Sequence, residues 1–357
     1  MNRPRVVAIA ATLFLLPLMS AGQSRPGPSR TELAPGIFLF TTPRYGDVGL
    51  DGNSIAVLSR EGVLVFDTNG TPAASAAVLA EIRTLTDQPV RWIVNSHWHW
   101  DHWYGTETYQ RAFPDVRIVT HEKNRQMMTG PALAFNRPFM EEQLPAYLRS
   151  MEKRAADAPN LAPLLEEDKA FFEQKKNVRL VFPNVTFSDR LSIEIGERRI
   201  EVLNYGRGVT PGDTFVFLPK EKLLLLGDLI VNPITFALSG YPTEWLRVLE
   251  RVDALDATTI VTGHGPALHD KALLHATMEV FRVLLREGKA ARAKGLDPDQ
   301  AKEAIFPGLH DLMVTITGDR PPVNNAFKTQ LVDWYLHRVY EELDGSLTDA
   351  ISRIPAS

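Results

Sequence analysis

Six consecutive residues, His97-Trp98-His99-Trp100-Asp101-His102, bring three imidazoles and a carboxylate together in an H-x-H-x-D-H cluster. Histidine nitrogens and carboxylate oxygens are the ligands that borderline divalent metals such as zinc accept. With nine histidines in 357 residues, three fixed positions match by accident somewhere in such a chain about 0.6% of the time, before the aspartate is required. A surface loop rich in His and Trp is the ordinary alternative, and the rarity of the pattern favours metal binding. The chain has no cysteine, so nitrogen and oxygen ligands alone would hold the metal, and no disulfide contributes to stability.

Ligands need a rigid frame, and the flanking sequence predicts one. Val90–Asn95 reads as a buried strand that ends on the cluster, with Asp101 and His102 opening the next helix. Two distant apolar strands, Leu223–Gly227 and Thr258–Thr262, each end on a glycine followed by a ligand-type residue, Asp228 and His264. Further strands are predicted at Ile37–Thr41, Ser54–Leu58, Gly62–Asp67, Val116–Thr120, Val178–Phe182, Leu191–Ile195, Arg199–Leu203 and Thr214–Leu218. Helical spacing marks Thr71–Leu85 and Thr243–Leu255. Residues 130–176 are charged, proline-punctuated and helical, and residues 270–345 are helical again, with Asp297-Pro298 as a helix start. There Phe327, Leu331, Trp334, Tyr335 and Val339 form a stripe that reads as a core or dimer face rather than a ligand site.

Asp67-Thr68-Asn69, the His cluster, Thr210-Pro211-Gly212-Asp213, Gly227-Asp228 and Gly263-His264-Gly265 follow one another in an order and spacing that resembles the metallo-β-lactamase superfamily over residues 32–268. The resemblance implies an α/β fold, a four-layered αββα sandwich with its metal centre at one edge between the sheets. Residues 130–176 would be a helical insertion and 269–357 a helical C-terminal extension. It further implies a first metal site at His97, His99 and a third histidine, and a second at Asp101, His102 and His264. Asp228 would bridge the two or bind the second.

The chain departs from the family pattern once. Where the family has Gly-His-Thr-Pro-Gly-Asp, this sequence has Gly208-Val209-Thr210-Pro211-Gly212-Asp213, and Val209 has no lone pair to offer. Zinc is therefore expected as one or two ions with the second site favoured; manganese and iron suit the same ligands. Nothing in the spacing of His121, His269 or Asn204 favours them as replacements, and the two histidines read as turn residues after strands. Asp67 is expected behind the ligands, holding the His-bearing loop, with a plain turn aspartate as the alternative. Asp101 is expected to orient or deprotonate water, with His97 and His99 donating to the developing oxyanion. At least two of Trp98, Trp100, Trp103 and Tyr104 are expected in the core and Tyr241 and Trp245 on the substrate rim; only the resemblance places the insertion near the site, and the sequence leaves open whether it is a lid.

Arg3 and Arg5, the apolar run Val6 to Leu18 and then Ser20-Ala21-Gly22 read as a signal peptide over 1–22, too short to span a membrane, with a polar linker over 23–31. An uncleaved anchor is the alternative. Export would place the protein in the periplasm or outside the cell. Cleavage would remove both arginines and make the formal net charge of −4 two units more negative, a surface that does not attract nucleic acid or anionic membrane. The expected partner is a small-molecule substrate, with no stable membrane insertion after cleavage and a homodimer through the C-terminal helices as the oligomer the stripe suggests.

The resemblance implies an exported metal-dependent hydrolase in which metal-activated water attacks a lactam, lactone, ester or thioester carbonyl. The superfamily also holds phosphodiesterases, sulfatases and dioxygenases, so fold alone decides little. Its dioxygenases depend on the histidine that Val209 replaces. The competing expectation is a degenerate, non-catalytic metal-binding member, against which the retained Asp101 argues.

Overall fold

The apolar runs of the sequence become two sheets in a computed structural model that describes residues 26–46 and 49–349. The expected signal peptide lies outside the described residues. These residues form two compact units. The first comprises the chain up to Thr120 with Arg125–Thr186 and Ile195–Glu197; the second comprises His121–Asn124, Phe187–Glu194 and the chain from Arg198.

The first unit is built on a seven-stranded sheet in the order of the chain: β1 (Ser29–Ala34), β2 (Ile37–Thr41), β3 (Ser54–Ser59), β4 (Gly62–Phe66), β5 (Val90–Val94), β6 (Arg117–His121) and β7 (Val185–Phe187). β1 to β4 pair antiparallel, and β4, β5 and β6 run parallel. The parallel strands are separated by helices α1 (Pro72–Leu85) and α2 (Thr106–Ala112). α1 starts where Thr71 Oγ1 accepts from Ala74 N and proline takes the first turn. Its Ala74, Val78, Leu79 and Ile82 join Phe40, Val65, Ile93 and Ile118 in one apolar cluster.

Two expectations are corrected here. Residues 29–31 belong to β1, not to a linker; β1 is a polar, largely exposed strand paired to β2, so it has no hydrophobic alternation to read. Val178–Phe182 is not a strand. Val181 does enter the core, but Pro183 cannot donate to a ladder, and regular pairing starts after Asn184, whose side chain and backbone both bond Ile118.

Helices α3 (Glu122–Met128), α4 (Pro131–Pro138), α5 (Leu144–Asp157) and α6 (Ala162–Lys176) follow β6. The insertion is helical as expected. Leu144, Leu148, Met151, Leu165 and Phe171 form its own small core with Tyr45, and Trp100 packs against it.

The second unit is built on a five-stranded sheet, β8 (Arg190–Ile195), β9 (Arg198–Leu203), β10 (Phe215–Leu218), β11 (Leu223–Leu225) and β12 (Thr259–Val261), ordered β12-β11-β10-β9-β8. β9, β10 and β11 pair antiparallel and β11 with β12 parallel. Its helices are α7 (Pro242–Asp253), α8 (Ala272–Ala293), α9 (Pro298–Ile305), α10 (His310–Thr317), α11 (Pro321–Ala326) and α12 (Trp334–Leu343). Asp297 and Gln300 form a reciprocal capping box at the start of α9. A single apolar cluster runs from Leu224 and Ile260 through Trp245 and Leu249 to Phe281, Phe327, Leu331, Tyr335 and Val339. The predicted stripe is therefore core. No helix among the described residues is long and apolar enough to cross a membrane.

Phe281 stacks on Tyr335 with ring centroids 4.1 Å apart, both fully buried. Phe281→Ala should lower unfolding free energy by about 3–5 kcal/mol in denaturant titration. A loss below about 1 kcal/mol would mean that the C-terminal helices do not share the core of the sheet.

Candidate metal centre

In the first unit, β4 and β5 deliver the two ends of one buried network. Asp67 follows β4 in a left-handed backbone conformation (φ 57°). Its Oδ1 accepts from Ser96 N at 2.7 Å; its Oδ2 accepts from Ser96 Oγ at 2.7 Å and faces His102 Nδ1 at 2.8 Å. An ionised carboxylate is acceptor-only, so His102 carries its proton on Nδ1 and its Nε2 has the lone pair. Ser96 Oγ spends its single proton on Asp67, so at 2.9 Å it accepts from His97 Nδ1. Nε2 is then the lone-pair nitrogen of His97 as well. Burial pushes the Asp67 carboxyl above its ordinary range, while His102 and Ser96 pull it down.

His97 and His102 are fully buried, and their rings stand 4.4 Å apart. His99 meets His97 edge-on at the same distance. After His99, the chain turns through a short 3-10 segment, Trp100–His102, instead of entering a regular helix as expected. That turn sets Asp101 Oδ2 3.3 Å from His102 Nε2. The first unit thus gathers four of the predicted ligands. Trp98, Trp103 and Tyr104 are buried as core. With His97 Nδ1 engaged by Ser96 Oγ, Nε2 is the nitrogen left for the ligand or donor role expected of it.

In the second unit, the ends of β11 and β12 lie side by side. Leu225 pairs with Val261, and Gly263 N donates to Gly227 O at 2.6 Å. The two following residues are Asp228, buried, and His264, with Asp228 Oδ1 3.7 Å from His264 Nε2. Gly227 takes a left-handed turn (φ 56°), which glycine adopts without strain.

Val209 is fully buried in the apolar cluster with Leu229 and Trp245. None of the other residues considered is presented as a replacement ligand. His121 Nδ1 accepts from Lys123 N, Asn204 holds the backbone of Gly206 and Asp213, and His269 is exposed. Tyr241 and Trp245 are corrected from rim to core. Trp245 is fully buried, donates Nε1–H to Leu229 O at 3.1 Å and packs on Phe281. Tyr241 is buried beneath Arg207, its hydroxyl donating to Asp349.

The sequence reading missed Ser96, whose hydroxyl fixes the His97 tautomer, because a serine beside a histidine carries no motif. It missed Gly52 too, where a Cβ would stand 2.6 Å from the His102 ring. It also missed Lys175 on α6, buried with its Nζ over Trp100 and Tyr104.

Each unit therefore carries a donor set of imidazole nitrogens and carboxylate oxygens, and no sulfur. In the first unit, hydrogen bonds behind the rings fix which nitrogen is presented, the arrangement a divalent metal such as zinc requires.

A sequence profile of the metallo-beta-lactamase superfamily matches residues 47–264. A linear primary-alkylsulfatase of Pseudomonas sp. (strain ATCC 19151) is 25% identical over 266 residues, 69% of this chain and 48% of that protein. The chain thus spans about half the length of that relative. Among solved structures, a metallo-beta-lactamase from Pontibacter korlensis matches 71% of this chain and 99% of its own, with a TM-score of 0.52 and 22% identity. The FIM-1 enzyme from Pseudomonas aeruginosa, solved in a mono-zinc form, matches 72% of this chain and 98% of its own, with a TM-score of 0.51 and 15% identity. The fold expected from the motifs is borne out, with a helical region following the matched part.

Removing the hydroxyl in Ser96→Ala should weaken zinc binding about 10- to 100-fold in competition with a chromogenic chelator. Unchanged affinity would show that the network does not position the ligands. A second expectation concerns pH. Burial pushes the Asp213 carboxyl up to about 7; hydrogen bonds from Thr210 and Gly208 oppose the rise, and the Asp228 charge adds to it. A folded-state value above the unfolded one favours folding fully below the unfolded value, and this contribution is lost as pH climbs through about 7. The unfolding midpoint of metal-free protein should fall as pH rises from about 5 to about 7 and level off above, and Asp213→Asn should flatten that fall. A midpoint that rises across this window would contradict the assignment.

Proposed function

We propose, since the chain belongs to the metallo-β-lactamase superfamily, that it is a metal-dependent hydrolase of ester-type substrates. The observation that carries this reading is the buried Asp67–Ser96 network, which turns the Nε2 lone pairs of His97 and His102 into ligands. The proposed ligands are His97, His99, Asp101 and His102 from the first unit and Asp228 and His264 from the second. Val209 contributes none, so one firmly held ion is expected, and the nitrogen and oxygen donors suit zinc. The N-terminal sequence supports export to the periplasm or beyond.

When bound, a divalent ion polarises the scissile group and makes water nucleophilic near neutral pH. The chain's own groups do the rest. Asp101 is the general base: beside His102, it orients the attacking water and takes its proton on a carboxylate oxygen. Asp67 holds the His102 imidazole in one tautomer, so its ring cannot rotate away from the site. For the bond that breaks, the relative named for linear primary alkyl sulfates supports sulfate esters as the first substrate class, ahead of carbonyl esters and lactams.

The test uses the full chain loaded with zinc. Sulfate release from decyl sulfate would be measured beside hydrolysis of p-nitrophenyl acetate and a chromogenic cephalosporin. Decyl sulfate turnover is expected, and Asp101→Asn should cut it at least about 100-fold while zinc stays bound. A wild-type protein that holds zinc and turns over none of the three would instead be a non-catalytic member of the superfamily.

A further inference from the structure

The last helix of the insertion grips one residue of the ligand turn from two positions on one face. Phe171 and Lys175 are four residues apart on α6 and therefore neighbours on its surface. The Phe171 ring lies 5.5 Å from that of Trp100, and Lys175 Nζ sits 3.6 Å from the centroid of the same indole. Nζ is also 3.8 Å from the Tyr104 ring, so this one nitrogen contacts two aromatic rings. Lys175 is 5% exposed and its Nζ makes no hydrogen bond among the described residues; burial pushes its amine well below the ordinary lysine range, against the opposing pull of Asp101 and Asp51. A polar amine held dry without a hydrogen bond is costly to bury, and the two aromatic faces are the contacts it has there. Trp100 is the first residue of the Trp100–His102 turn, so whatever fixes its ring fixes the backbone that carries Asp101 and His102. The same helix is tied down at Gln174, whose Oε1 accepts from Ala73 N at the start of α1.

We propose that Lys175 is a positioning residue for the metal-ligand turn: it pins Trp100 from α6, making this part of the insertion a fixed brace rather than a lid. The consequence for metal binding rests on the hydrolase reading above; the bracing itself does not.

Two measurements on the full chain separate them. In metal-free protein, hydrogen exchange of backbone amides 97–104 should accelerate at least about tenfold in Lys175→Met, with β2 to β4 unchanged, and return towards wild type in Lys175→Arg. Zinc affinity by chelator competition should fall at least about tenfold in Lys175→Met and recover to within about threefold in Lys175→Arg. The sign of the second result is diagnostic. Deleting a lysine near a metal site, whether its amine is charged or neutral, does not by itself weaken metal binding electrostatically, so weakening reports lost positioning. Unchanged exchange at 97–104, or unchanged or tighter zinc binding in Lys175→Met, would overturn the proposal. Faster exchange in a protein whose wild type binds no zinc would sustain the brace and sink the metal reading. Should Lys175→Met fail to fold, Trp100→Phe shrinks the ring on the same contact and carries the same expectations.

Discussion

The first unit is organised around one buried carboxylate. Taking Asp67 out of water costs several kcal/mol, and only its donors, Ser96 N, Ser96 Oγ and His102 Nδ1, offset that cost. The turn that presents it is uncommon too, since Asp67 and Asn69 both adopt left-handed backbone, a conformation that aspartate and asparagine tolerate better than other non-glycine residues but that still needs its surroundings to hold it. Here the surroundings do so. Thr68 N donates to His102 O at 2.8 Å, Asn69 Nδ2 to Gly52 O at 2.8 Å, and Gly70 N to Asp51 Oδ1 at 2.6 Å. Strain, desolvation and histidine orientation are thus coupled in one small volume.

The second unit shows that a loop's shape and its ligand content are separable. Asp213 accepts from Gly208 N at 3.0 Å, Thr210 N at 2.9 Å and Thr210 Oγ1 at 2.9 Å. These bonds define the Gly208–Asp213 turn without the side chain of residue 209, whose carbonyl accepts from Ser239 Oγ at 2.7 Å. A side chain there can therefore exchange an imidazole for an isopropyl group while the backbone keeps its course, and Val209 is absorbed into the surrounding apolar cluster.

Much of this was legible in the sequence because periodicity and ligand chemistry leave marks there. The strands around β2 to β5 and the start of α1 follow from apolar runs and from Thr71-Pro72. Asp297 announces α9 by its cap. What was not legible depends on partners remote in the chain. β1 is held by pairing rather than by its own side chains, and Trp245 looked like a rim aromatic until its neighbours from α8 were in place. Ser96 and Lys175 carry no motif, and their roles exist only once Asp67 and Trp100 are beside them. Sequence exposes ligands more readily than the groups that hold ligands still.

The pairing of β11 with β12 has one more consequence. Asp228 and His264 are separated by a long stretch of chain, yet their spacing is set by adjacent parallel strands through Leu225–Val261 pairing and the Gly263–Gly227 hydrogen bond. The intervening segment, including α7, is anchored at both ends by the ladder and does not itself set that distance. Lengthening or rewriting its exposed parts would leave the two donors where they are. Such a scaffold can change what surrounds its donors without disturbing the donors, which lets new specificities arise on an unchanged ligand frame.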